Sequence, residues 1–151
     1  MKVNLFFENA CATGGSIPTA TQVQRWAEAA LLPVERDTVS LSVRAVDEQE
    51  IADLNQRYRS RSGPTNVLSF PFEDPPGVDS DELGDVVVCA PVVEREALEQ
   101  GKTAEEHWAH MVVHGVLHLC GYDHVEDADA EQMENEETRI LTGLGFPAPY
   151  N

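Results

Sequence analysis

Positive charge is scarce in this sequence. Lys and Arg number 10 against 27 Asp and Glu, for a formal net charge of −17. That balance argues against a surface that grips polyanions over a wide area. It leaves room for one local basic patch, with the acidic surface turned elsewhere. Cysteine is sparse as well. Cys11, Cys89 and Cys120 are odd in number and far apart, which argues against a disulfide framework and fits a reducing compartment. No apolar run approaches the roughly 20 residues needed to cross a bilayer. The stretch Met1–Asn9 reads as a first strand, not a signal peptide, because Asn4 and Glu8 interrupt its short apolar part. With no internal repeat, low-complexity tract or linker, residues 1–151 read as a single domain, long enough to bury a core.

The acids that are present cluster. Residues 73–82 carry five acids and no base, and residues 126–137 carry seven and no base. Both runs read as solvated faces. Against them stand Arg57, Arg59 and Arg61, which alternate within five residues.

Hydrophobic periodicity sets out the elements. Residues 2–7 form a strand. A helix capped by Ser16 begins near Pro18, buries Val23, Trp26, Ala27, Ala30 and Leu31, and stops at Pro33. Thr38–Val46 alternates as a half-buried strand, with Val39, Leu41, Val43 and Ala45 on one side. Asp47 and Glu50 form a capping-box-like start for a helix running to near Tyr58. Short apolar strands follow at 67–70 and 86–89, expected to be neighbours in one sheet across the acidic loop. Pro91 opens a helix that Gly101 closes, Thr103 and Glu106 cap the next, and a last helix runs from about Asp127 to Leu144. The order predicts an α+β fold: a four-stranded mixed sheet packed against helices.

The chemistry concentrates in His114-Gly115-Val116-Leu117-His118-Leu119-Cys120-Gly121-Tyr122-Asp123-His124. His114 and His118 are four apart and share one helix face. Gly121 can end the helix in a left-handed conformation and let His124 turn back toward them. Three imidazoles then converge around an open fourth position, at the end of a helix in the C-terminal half. This is the ligand pattern of a catalytic zinc-type site. His110 and His107 read as surface or supporting histidines, and Cys120 as a small buried thiol beside the site.

The spacing invites comparison with the metzincin peptidases, which carry a Glu general base directly after the first His. Here that position is Gly115, so a peptidase lacks its proton shuttle. Arg59 and Arg61 precede a Gly63-Pro64 turn. A guanidinium suits phosphate, because its planar fork donates two parallel hydrogen bonds. A surface ion pair with one of the many acids is the plain alternative for Arg59.

Taken together, these residues resemble the YbeY family of bacterial rRNA-maturation endoribonucleases. The His114–His124 segment resembles that family's signature. Three blocks accompany it in order: Tyr58-Arg59 with Pro64-Thr65-Asn66-Val67-Leu68-Ser69-Phe70-Pro71, then Leu83–Cys89, then Gln100-Gly101-Lys102 through His107-Trp108-Ala109-His110-Met111-Val112-Val113. The resemblance covers most of the chain from about residue 40 onward. It implies a zinc-dependent, single-strand-specific endoribonuclease of the cytoplasm, acting in 16S rRNA maturation and ribosome quality control. It implies one Zn2+ on His114, His118 and His124, an essential Arg59, and catalysis through Arg59 and His114. The implied partners are rRNA precursors and the small ribosomal subunit or ribosome-associated proteins, with no membrane. Asn66 departs from the Asp common at its position, and Ser62 from a frequent acid. Asp85 and Asp123 are candidates to orient the histidines, with a capping or turn carboxylate as the alternative for each. Two other classes remain open: a metzincin-like peptidase or other metal-dependent hydrolase, and a non-catalytic, metal-stabilised ribosome-assembly factor.

Overall fold

A computed structural model describes residues 1–12, 15–122 and 126–150. The elements follow the expected order. They are β1 (Lys2–Asn9), α1 (Ala20–Leu31), β2 (Thr38–Val46), α2 (Glu48–Arg59), β3 (Val67–Pro71), β4 (Glu82–Cys89), α3 (Ala90–Gln100), α4 (Ala104–Leu119) and α5 (Asp127–Gly143). The strands form one sheet in the order β1-β2-β4-β3. β1, β2 and β4 run parallel, while β3 pairs antiparallel with β4. The fold is therefore α+β with a mixed sheet, and β3 is an edge strand.

Strand alternation sends residues to two apolar layers. Val39, Leu41, Val43, Ala45, Val86 and Val88 join α1, α4 and α5 in the main core. Val46, Leu68, Val87 and Cys89 join Ile51 of α2 in a smaller one. α2 and α4 thus cover opposite faces of the sheet. Among the described residues, no helix is long and apolar enough to cross a membrane.

Two expected helix starts are corrected. Thr19, not Ser16, caps α1, because Thr19 and Gln22 exchange the reciprocal bonds of a capping box. Asp47 precedes α2 but makes no cap bond. Its carboxylate instead accepts hydrogen bonds from the Cys11 thiol at 3.1 Å and the Ala12 amide at 3.0 Å. Glu50 is drawn to Arg44. At α4, Thr103 Oγ1 accepts from the Glu106 amide at 3.1 Å, as the sequence suggests.

α4 is the helix on which the fold closes. Its residues from His107 to Val113 and from Gly115 to Leu117 are buried, and it packs against α1, α3, α5, β3 and β4. A helix buried nearly all round needs one face where its backbone can approach the sheet. Gly115 supplies it. A Cβ built there would lie 2.5 Å from Val86 Cγ1 and 3.3 Å from Ser69 Oγ. Ser69, itself buried, donates its hydroxyl to the Gly115 carbonyl at 2.9 Å. The helix ends as its sequence predicts. Gly121 has φ +97°, and the Tyr122 amide donates back to the Leu117 carbonyl at 3.1 Å.

Replacing Gly115 by Ala should therefore force α4 off the sheet and cost about 1–3 kcal/mol, the usual range for overpacking. Urea unfolding with an unchanged slope and a lower midpoint is the expected result. An unchanged midpoint would mean that Val86 yields without cost.

Candidate active site

α4 stacks His110, His114 and His118 on successive turns. The rings of His114 and His118 stand 4.7 Å apart at 75°, and those of His110 and His114 stand 6.4 Å apart at 88°. Both His114 and His118 are half-buried and line a cavity of about 770 Å3. The same cavity is lined by Arg59, Arg61, Asn66 and Ser69.

Arg59 reaches this cavity from the far face of the sheet. It is the last residue of α2, whose end is turned by Ser60 in a left-handed conformation at φ 54°. Tyr58 rests edge-on against Phe70 of β3, with ring centroids 5.3 Å apart. The Arg59 guanidinium donates from Nη2 to the Ser69 carbonyl at 3.3 Å. Ser69 therefore touches both halves of the site: its carbonyl takes Arg59, and its hydroxyl binds the helix beside His114. Asn55 holds the loop behind them, donating to the Gly63 carbonyl at 2.9 Å and accepting from the Arg61 amide at 3.3 Å.

The carboxylate that orients the histidines is Glu137 of α5. It is 0% exposed. Its Oε1 accepts from His114 Nδ1 at 2.8 Å, and its Oε2 accepts from His110 Nε2 at 2.5 Å and from the Tyr150 hydroxyl at 2.6 Å. Burial alone would push this carboxyl upward. The hydrogen bonds from His110 and His114 outweigh that and hold it at about 2. A carboxylate on Nδ1 requires the His114 proton there and directs the Nε2 lone pair to the other side of the ring.

Asp85 is not brought to the histidines. It is exposed on β4 and accepts from the Ser42 hydroxyl at 2.5 Å. Its neighbour Val86 faces α4, so alternation turns Asp85 to the opposite side. Asp123 and His124 lie outside the described residues. Glu137 belongs to the acidic run 126–137, which is not wholly a solvated face as its composition suggests. Its signal lies in the spacing: it is four residues after Met133 and three before Ile140, on the inner stripe of α5.

Comparisons with known proteins identify the family. The family model described as Endoribonuclease YbeY matches residues 13–145. The chain belongs to the endoribonuclease YbeY family. A Methylococcus capsulatus protein named Endoribonuclease YbeY is 58% identical over 139 residues, covering 92% of this chain and 91% of that protein. The fold resembles the solution structure of a Thermotoga maritima protein, with a TM-score of 0.59 and 28% identity, covering 91% of this chain and 86% of that one.

The described donor set suits a borderline-soft divalent ion in part. Two imidazoles face one cavity, one of them backed by a carboxylate in the manner of metal-binding histidines. No group of three or more His, Cys, Asp or Glu side chains able to hold a metal occurs among the described residues, so a complete shell needs a ligand from outside them. Cys120 is half-buried next to the site, and burial pushes its thiol up, which favours the protonated form. Gly115 carries a second consequence here. The space a Glu side chain would need after His114 is filled by Val86 and Ser69, so the packing itself rules out the metzincin base at that position.

Beyond His110 the row continues to His107, which is buried and lies 2.8 Å from Glu96 through Nε2. Glu96 also accepts from Asn66 Nδ2 at 3.1 Å. An Asp at position 66 could not donate that bond when ionised, so the departure to Asn at this position is matched by an acid across from it.

Two outcomes follow from these contacts. Glu137→Gln leaves His114 without its charged acceptor, and zinc affinity measured by competition with a chromophoric chelator should fall about 10–100-fold. Undiminished affinity would remove Glu137 from the site. The second concerns pH. Burial holds His107 below its ordinary value of 6.5, so the neutral form belongs to the folded state. The unfolded chain then binds the proton first, and stability that is full above that pH declines as pH falls through it. The loss between pH 7 and 5 should be smaller in His107→Asn than in the wild type. Parallel pH profiles of urea stability for the two proteins would contradict it.

Proposed function

We propose that the protein is a metal-dependent endoribonuclease that cuts single-stranded RNA, with Arg59 and His114 at the reacting phosphate. The observation that carries this reading is the charge of the cavity. In a chain with 27 acids, the described residues lining the His114–His118 cavity include Arg59 and Arg61 and no Asp or Glu. A phosphodiester meets there two guanidinium groups and, among the described lining residues, no carboxylate to repel it. Membership in the endoribonuclease YbeY family supports the same chemistry.

The residues proposed to hold one Zn2+ are His114, His118 and His124. A zinc ion bound by three imidazoles supplies Lewis acidity and lowers the pKa of bound water to about 7. The protein's own groups do the rest. Glu137 keeps the proton on His114 Nδ1 and the ring in place. Ser69 holds the Arg59 guanidinium at the mouth of the cavity, where its fork can take the charge that builds on the phosphate oxygens in the transition state. β3, which lines the cavity through Val67, Leu68 and Ser69, is an edge strand, and a single strand passing along that edge is the substrate proposed.

The cellular setting proposed is the one that the family resemblance implies. We place the protein in the cytoplasm, acting on rRNA precursors in 16S maturation and ribosome quality control, with the small ribosomal subunit or its associated proteins as partners. A molecule this acidic would be repelled by bulk RNA, so a partner that delivers one strand to the cavity fits its charge.

The test is cleavage of matched single-stranded and duplex RNA by protein of known metal content, with and without chelator. Metal-loaded wild type should cut the single strand alone and lose activity with the metal. His114→Ala with His118→Ala should lose both metal and cleavage. Arg59→Ala should keep the metal and lose about 10²–10³-fold in kcat/KM, the usual cost of deleting a group that stabilises transition-state charge. Metal retained by the double variant, or full activity in the Arg59 variant, would contradict the assignment.

A further inference from the structure

A second cavity, of about 640 Å3, adjoins the first. Asn66, Val67 and His114 line both, so the two meet at His114. A volume of this order is within the ~300–1,000 Å3 of pockets that enclose small organic ligands. Its walls carry three features that the cleavage chemistry does not use.

The first is Tyr150. Its hydroxyl is tied to Glu137 at 2.6 Å, and its ring stands edge-on to His110 with centroids 5.4 Å apart. The preceding residue is held too, because Lys102 Nζ donates to the Pro149 carbonyl at 3.2 Å. Yet the residue remains 39% exposed. An aromatic ring fixed at its polar tip and open on its body is a stacking surface that loses little entropy on binding. The second is Glu96, whose carboxylate gathers Asn66 and His107 at one wall. A carboxylate there accepts hydrogen bonds from an exocyclic amino group. The third is Lys102, a cation in the wall for a backbone phosphate.

We propose that this second cavity is a nucleobase subsite. When an RNA strand sets one phosphate beside Arg59 and His114, the base of an adjoining nucleotide enters the second cavity and stacks on Tyr150. Its exocyclic amino group faces Glu96, which favours bases that carry one over uracil. The inference rests on the endoribonuclease reading and adds to it a source of sequence preference. It also explains why Tyr150 is tethered through the carboxylate that orients His114: the stacking surface and the reacting end of the site share one anchor.

The experiment uses a short single-stranded RNA with one cleavage site, in which an abasic residue is moved one position at a time past the cut. In the wild type, one position beside the cut should lower kcat/KM about tenfold, the scale of one base–aromatic stack. In Tyr150→Ala the intact RNA should already be cut about tenfold less efficiently, and the abasic residue at that position should add nothing. Tyr150→Phe keeps the ring and loses the hydroxyl, so it should retain the abasic penalty whatever happens to its turnover. Replacing the base at that position by uracil should lower kcat/KM in the wild type and not in Glu96→Ala. An abasic penalty of equal size in wild type and Tyr150→Ala, or none at any position in the wild type, would overturn the subsite while leaving cleavage intact. Failure of metal-loaded wild type to cut any RNA would overturn the endoribonuclease reading itself, and the subsite with it.

Discussion

The contact between Gly115 and the β3–β4 pair is what the remaining arrangement hangs on. With a Cβ there the helix would run into Val86 and Ser69. Without one, α4 comes close enough for its carbonyl at 115 to take the Ser69 hydroxyl. That approach sets the height of His114 above the sheet edge. It also fixes Ser69, whose own carbonyl receives Arg59 from α2 on the opposite face. A residue with no side chain thus couples two groups that are far apart in sequence. Interiors pack too tightly to absorb an extra methyl without displacement, so the coupling has little slack.

The second organising element is a buried charge. Glu137 has no water to solvate it, and an ionised carboxylate in such a place survives only if its lone pairs are taken. Three donors take them, from His110, His114 and Tyr150. The geometry of the histidine row is therefore not left to α4 alone. It is set between two helices, with the ring of His114 held at one nitrogen and turned by the other toward the cavity.

The parts that could be read from the chain are those encoded locally. Alternation in Thr38–Val46, the Gly101 and Gly121 helix ends, and the i, i+4 pair of His114 and His118 each depend on near neighbours, and each stands as expected. The β3–β4 pairing across a long acidic loop also holds, with β4 taking β3 on one side and β2 on the other. What escaped depends on partners distant in sequence. Glu137 was hidden among six other acids in its run, and only its register with Met133 and Ile140 marked it as inward. Asp85 sat beside the right strand, but period-two alternation sends it away from α4. Asp47 looked like a helix cap and was claimed by Cys11 and Ala12. Competition of this kind between local and tertiary partners cannot be judged from a single segment.

The distribution of the site over the chain has a kinetic side. Arg59, Ser69, His114 and Glu137 come from α2, β3, α4 and α5 in turn, so each contact closes a loop that includes folded elements already laid down. No stretch that stops short of α5 contains the carboxylate that holds His114. Partly synthesised or partly folded chains accordingly lack the anchor that fixes the rings of His110 and His114, and the row acquires its final order only when the last helix docks.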